Sequence, residues 1–200
     1  MPAAPSTTRE AQRLQTRARV FDAAVAEIGR SGLAGADVAA IAAAAGVSRG
    51  TFYFHFPTKE HVLVELERAE EVNIVSKLGT TTTEPDDLMS MLKLLVRQVL
   101  AAERRLGPVV LRDMLGLHFS ATRPEVDVLA AHPLAQYVIA AIAEGQAARR
   151  VTGDADPSEL GVIFLTGLYA LLATDVGASR ARTARLDRYV RTIVQGMEAR

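Results

Sequence analysis

A chain of 200 residues with 49% hydrophobic and 23% charged residues has the balance of a globular protein, far from the low-hydrophobicity, high-charge composition that leaves chains disordered. The absence of cysteine excludes a disulfide framework, thiolate zinc centres and a cysteine nucleophile. Formal net charge is zero, so no global basic field marks a nucleic-acid partner, and any such role rests on a local surface. Over residues 1–62 the basic Arg9, Arg13, Arg17, Arg19, Arg30, Arg49 and Lys59 outnumber the acidic Glu10, Asp22, Glu27, Asp37 and Glu60. The opening residues through Arg9 lack the apolar run of a secretory signal and read as a short flexible arm of a cytoplasmic protein. The uncharged stretch Leu160 to Thr174 is shorter than the roughly 18 to 20 apolar residues that cross a bilayer, so no membrane contact is expected.

In chain order, Leu14, Phe21, Ala24, Val25 and Ile28 form one stripe of a first helix that ends at Gly32. Asp37 caps a second helix with Val38, Ile41, Ala42 and Ala45 on its apolar side, and Gly46 stops it. Ser48 caps a third, running through about Phe54. Pro57 breaks that helix and Thr58 caps the next. Long helical patterns follow over Lys59 to Leu78, Asp86 to Arg105, Val109 to Phe119, Leu134 to Arg150, Pro157 to Val176 and Thr183 to Glu198. Breakers separate them: the threonine run Thr80 to Thr83 with Pro85, Gly107-Pro108, Arg123-Pro124, His132-Pro133 and Gly153 to Pro157. No alternating strand pattern appears, and the expected class is all-α.

Asp37 to Phe56, DVAAIAAAAGVSRGTFYFHF, is laid out as a helix-turn-helix. Arg49 can donate twin hydrogen bonds to guanine, Thr51 can bond a base or pack on a thymine methyl, and Gly50 permits close approach. Tyr53, His55 and Lys59 can bond phosphate oxygens, which position a helix without reading sequence. Phe52, Tyr53, Phe54 and Phe56 crowd one short helix. Helical spacing puts Phe52 and Phe56 on a core face and leaves Tyr53 and Phe54 toward DNA. The literal G-x-S-x-G of Gly46 to Gly50 lacks the preceding strand and parallel sheet of a hydrolase nucleophile elbow, and no catalytic set accompanies it. The chain therefore reads as a non-enzyme. His61, His118 and His132 share no metal-ligand spacing, so neither a metal nor a cofactor is expected.

The string Gly46-Val-Ser-Arg-Gly-Thr-Phe-Tyr-Phe-His-Phe-Pro-Thr-Lys-Glu60, preceded by Ile41-Ala and followed by Val62-Leu63, resembles the recognition helix and following helix start of the tetracycline-repressor (TetR) family. The resemblance implies an all-α protein with a helix-turn-helix DNA-binding domain over residues 1–60 and a helical ligand-binding and dimerisation domain over 61–200. It implies base contacts from Arg49, Gly50, Thr51 and Phe54, and phosphate contacts from Tyr53, His55 and Lys59, with Ser48 opening the same surface. Asp37 stands where the family usually has threonine; it caps well, but an ionised carboxylate cannot donate to a phosphate. That departure, with the alanine face of the second helix, keeps open an alternative: a helical sensor or scaffold whose helix-turn-helix no longer binds DNA.

Of the later helices, Asp86 to Arg105 sets Leu88, Leu92, Leu95, Val96 and Val99 on one stripe, and the last sets Leu186, Val190, Ile193, Val194 and Met197 on another. Pro157 to Val176 is apolar nearly all round. The resemblance implies that these last two helices pair with their copies, so Leu160, Phe164, Leu168, Leu171, Leu186, Val190, Ile193 and Met197 are expected at a homodimer interface. Two-fold pairing on a palindromic double-stranded operator also doubles the few contacts one short helix makes. The resemblance further implies a pocket for a small, mostly apolar effector. Met91, Leu95, Met114, His118, Phe119, Tyr137, Phe164 and Tyr169 are its expected lining, because they place aromatic, soft or polar tips on apolar helices.

Overall fold

A computed structural model describes residues 6–80, 87–124, 128–175 and 180–199. The arm before Ser6, the threonine run beyond Thr80 with Pro85, the helix start at Asp86 and the helix end at Val176 lie outside the described residues. Among the described residues the helices are α1 (Ser6–Gly35), α2 (Val38–Ala44), α3 (Arg49–His55), α4 (Lys59–Gly79), α5 (Leu88–Leu106), α6 (Pro108–Gly116), α7 (Pro133–Ala147), α8 (Pro157–Thr174) and α9 (Arg180–Met197). Short 3-10 turns sit at Leu117–Phe119 and Leu129–Ala131. The sole β pairing among the described residues is one isolated bridge, Val151 to Glu198. The chain divides into two compact units, Met1–Glu65 and Leu66–Arg200, with the boundary inside α4.

In the first unit the helix boundaries follow from local chemistry. Gly32 interrupts α1 with φ 71°, a conformation glycine adopts without steric cost, and a last turn runs on to Gly35. Asp37 caps α2 by accepting from Ala39 N at 2.9 Å. Gly46, at φ 66°, ends α2: its N–H reaches Ala43 O at 3.1 Å and that of Val47 reaches Ala42 O at 2.9 Å, the paired bonds of a Schellman stop. Val20, Ala24, Ile41, Ala45, Phe52, Phe56 and Val62 close over one another as the core. The expected stripe of α1 is corrected at its start, where Leu14 is exposed and Val20 is fully buried. Phe21 and Val25 are half-buried against the same cluster.

The second unit is a layered helical bundle in which α8 packs on α6 and α7, α5 packs on α6, α7 and α9, and α9 touches α8. Its core runs through Leu92, Leu95, Val96 and Val99 of α5, Met114 of α6, Val138 of α7, Phe164 and Leu168 of α8, and Leu186 and Val190 of α9. A buried ion pair, Arg182 Nη1 to Glu103 Oε2 at 2.7 Å, links α9 to α5. By length and composition α8 is long and apolar enough to span a membrane; in the unit it packs against α6, α7 and α9.

Burial corrects the expected partner face. Phe164, Leu168, Leu186, Val190 and Met197 are buried within this chain, because their stripes face α5 to α9 of the same unit, and a partner can gain little from them. The apolar side chains that α8 and α9 leave accessible include half-buried Leu160, Leu171 and Ile193, with Ile163 exposed.

Candidate functional site

Two places in the molecule carry groups that core packing does not require. The first is the outer face of α3. Ser48 caps this helix, its Oγ accepting from Thr51 N at 3.1 Å and lying 2.9 Å from Thr51 Oγ1. Both hydroxyls are therefore engaged with each other, which sets the start of the helix. Phe52 and Phe56 point inward, with ring centroids 6.2 Å apart. Arg49, Gly50, Tyr53 and Phe54 lie on the opposite stripe, and all four are exposed. Phe54 is 71% exposed and Tyr53 47%, so neither serves the core fully, although the Tyr53 ring stands edge-on to Phe52 at 5.3 Å.

Beside this face, the Arg17 guanidinium lies 4.5 Å over the Phe56 ring and pairs with Glu65. The hydrogen bonds that the guanidinium donates to this carboxylate raise the arginine's already high pKa. His55 is held below the ordinary imidazole value by partial desolvation, then by the charges of Arg17 and Arg13. Arg13 and Arg17, which the sequence reading did not assign, therefore belong electrostatically to this edge. Lys59 is more constrained than expected: its Nζ donates to Ala34 O at 3.1 Å and Ala36 O at 3.2 Å. An ammonium has three donors, so one remains for an external oxygen.

The second place is a small cavity of about 20 Å³ in the second unit, lined by Glu67, Glu70 and Glu71 of α4 together with Ile74, Val99, Ala102, Leu111, Met114, Leu115, Leu134 and Tyr169. Of the expected lining, Met114 and Tyr169 are present. His118 sits beside the cavity, its Nε2 against Glu67 Oε1 and its ring 4.8 Å from that of Tyr169. Phe119 is corrected: it is exposed on the last residue of a 3-10 turn. Met91, Leu95, Tyr137 and Phe164 do not line this cavity; Leu95 and Phe164 are fully buried core residues. The sequence reading missed the glutamates. Glu67 and Glu71 are buried, as is His132, whose Nδ1 lies 3.1 Å from both oxygens of Glu71. Tyr169 Oη donates to Glu71 Oε1 at 3.2 Å, and burial, then the glutamate charges, push its pKa well above the ordinary value.

Comparison with known proteins agrees with both the local motif and the fold. Residues 20–66 match the family of bacterial regulatory proteins described as the tetR family. The HTH-type transcriptional regulator AcrR of Shigella flexneri is 34% identical over 98 residues, which cover 48% of this chain and 45% of that protein. The chain thus spans about half the length of this curated relative. Across the fold, Thermus thermophilus FadR, a TetR-family transcriptional repressor solved with lauroyl-CoA, superposes with TM-score 0.70 at 22% identity, covering 92% of this chain and 96% of its own. RolR, solved with resorcinol, superposes with TM-score 0.68 at 18% identity over 96% and 91% of the two chains. Residues 20–66 thus carry the helix-turn-helix described for the tetR family of bacterial regulatory proteins, and the helices behind it have the fold of these solved structures.

Proposed function

We propose that this chain is a cytoplasmic, ligand-responsive transcriptional repressor that binds a palindromic double-stranded operator as a homodimer. The observation that carries the reading is the division of α3, with Phe52 and Phe56 fixed in the core while Arg49, Gly50, Tyr53 and Phe54 are presented outward on one stripe. In this reading Arg49 donates to a guanine edge, and Phe54 packs on base or sugar carbons. Tyr53, His55 and the remaining donor of Lys59 hold phosphates. Thr51 keeps hydrogen-bonding capacity beside its contact with Ser48 and can meet a base edge or pack its methyl on a thymine. The exposed Ile163 with Leu160, Leu171 and Ile193 supplies the dimer face. The bound molecules of the two structural relatives support a small effector, and the mostly apolar cavity marks where it would enter on this chain.

The test is fluorescence anisotropy of the protein with duplexes tiling the region upstream of its own gene, against a shuffled control and at two salt concentrations. Saturable binding to one palindromic tile is expected. Arg49→Ala should weaken it by about 1–3 kcal/mol, the value of one bidentate base contact, and Tyr53→Phe should weaken binding to every sequence alike. Equal binding of operator and shuffled duplex by the wild type would favour a helical sensor that does not read DNA.

A further inference from the structure

We propose that Glu67, Glu71 and His132 form a binding site for one divalent transition-metal ion at the polar end of the cavity in the second unit. Glu67 and Glu71 stand one turn apart on α4, hence on one face of that helix. His132 is delivered from the residue preceding α7, where Pro133 opens the helix. All three are buried, with exposures of 1%, 3% and 0%, and one donor atom from each lies within 4.8 Å of the others.

Two buried carboxylates at this spacing favour a cation between them, and the Arg123 guanidinium, 3.8 Å from Glu67 Oε2, stands to one side of the pair. Two carboxylates and one imidazole are a donor set for Zn²⁺, Mn²⁺ or Fe²⁺. The imidazole nitrogen disfavours Ca²⁺ and Mg²⁺, which take oxygen ligands. Donors about 2.1 Å from one tetrahedral ion lie about 3.4 Å apart, so side-chain torsions must bring the more widely spaced donors together by roughly an ångström.

The surrounding groups are placed to orient these donors. His118 Nε2 meets Glu67 Oε1 and Tyr169 Oη holds Glu71 Oε1, as hydrogen bonds to metal-bound carboxylates do. Without metal, Arg123 Nη2 lies 3.4 Å from His132 Nε2 and 3.8 Å from Glu67 Oε2. Coordination through Nδ1 shifts the single ring proton from Nδ1, where it bridges to Glu71, to Nε2. The Arg123 approach then becomes donor to donor, and the guanidinium moves toward Glu67. Three protein donors leave coordination positions open, and the cavity adjoins Glu67, Glu71 and Tyr169. An oxygen-bearing molecule in the cavity can complete the shell.

This site does not depend on DNA binding, and its test reads metal directly. The full-length chain, stripped with a chelator and dialysed, is titrated with Co²⁺ and followed by its visible absorption, and with Zn²⁺ by calorimetry. One equivalent per chain is expected, with a nitrogen- and oxygen-ligated Co²⁺ spectrum that Zn²⁺ displaces. Glu71→Gln and His132→Asn should each weaken Zn²⁺ by at least about 10-fold, whereas Glu70→Gln, whose wild-type carboxylate lines the same cavity but pairs with Arg105, should leave it unchanged. A wild-type chain that shows no stoichiometric Co²⁺ band overturns the proposal, without recourse to any variant. So does a folded Glu71→Gln chain that binds as tightly as the wild type.

Discussion

Gly50 separates folding from function at the scale of one residue. A Cβ built there meets only Ser48 Oγ at 3.7 Å, an ordinary contact, and the residue lies in a regular helix where alanine is favoured over glycine by about 1 kcal/mol. Gly50→Ala should therefore leave the thermal midpoint unchanged or raise it. If the surface of α3 lies in a groove, the same methyl should weaken operator binding, and unaltered affinity would place Gly50 away from DNA. His55 offers a pH test. Its folded pKa lies below the ordinary imidazole value, so as pH falls the unfolded chain takes the proton first, at about 6.5. Stability from this group is complete above that pH and declines as pH drops toward the folded pKa. A phosphate beside the ring acts in the opposite sense and favours the protonated form. Operator binding should tighten between about pH 8 and pH 6, and His55→Gln should flatten the profile in anisotropy titrations.

Among the elements, α8 and α9 make the clearest prediction. Tyr189 of α9 donates through Oη to Phe164 O at 2.7 Å, and burial pushes its pKa up to about 12. The ring reaches that carbonyl because Gly167 leaves room: a Cβ there would stand 2.3 Å from Tyr189 Oη. Gly167→Ala gains about 1 kcal/mol in helix propensity. Against that gain, it displaces the tyrosine, breaks its hydrogen bond and overpacks the contact, at about 1–3 kcal/mol for overpacking and about 1 kcal/mol for the bond. The net effect should be a lower denaturant midpoint for the full chain, and an undiminished midpoint would contradict the α8–α9 contact. The ion pair from α9 to α5 should be more sensitive. Glu103→Gln removes one charged contact of the buried Arg182 and should lower the midpoint by at most about 3–5 kcal/mol, the cost of a broken buried pair, readable in the same denaturation series.

For the whole molecule, zero net charge and a locally basic edge at α3 make opposite forecasts about salt. Affinity for DNA follows the phosphates neutralised locally, not the global charge. Operator binding should fall steeply between low and physiological salt, as for any protein that displaces counterions, and a flat dependence would rule out phosphate contact by Lys59. The architecture was legible in the sequence wherever one or two turns of chain decide the outcome. Asp37, Ser48 and Gly46 cap or stop their helices through partners two to four residues away or at the adjoining turn. The alternation of Phe52 and Phe56 with Tyr53 and Phe54 fixed which side of α3 faces the core, since helical geometry alone separates them.

What the sequence determined by itself, then, was the order of helices, their stops and the outward face of α3, because capping and periodicity act over a few residues. Tertiary packing decided which of several apolar stripes is used. Leu14 and Val20 are both apolar residues of α1, yet Val20 is buried and Leu14 exposed. Phe164 and Leu168, equally suited to a partner, are enclosed by their own chain. The polar cluster was beyond local reading altogether. Glu67 meets His118 across 51 positions and Glu71 meets His132 across 61. No spacing along the chain announces groups that become neighbours only when α4, the 3-10 turn after α6 and the start of α7 close around one cavity.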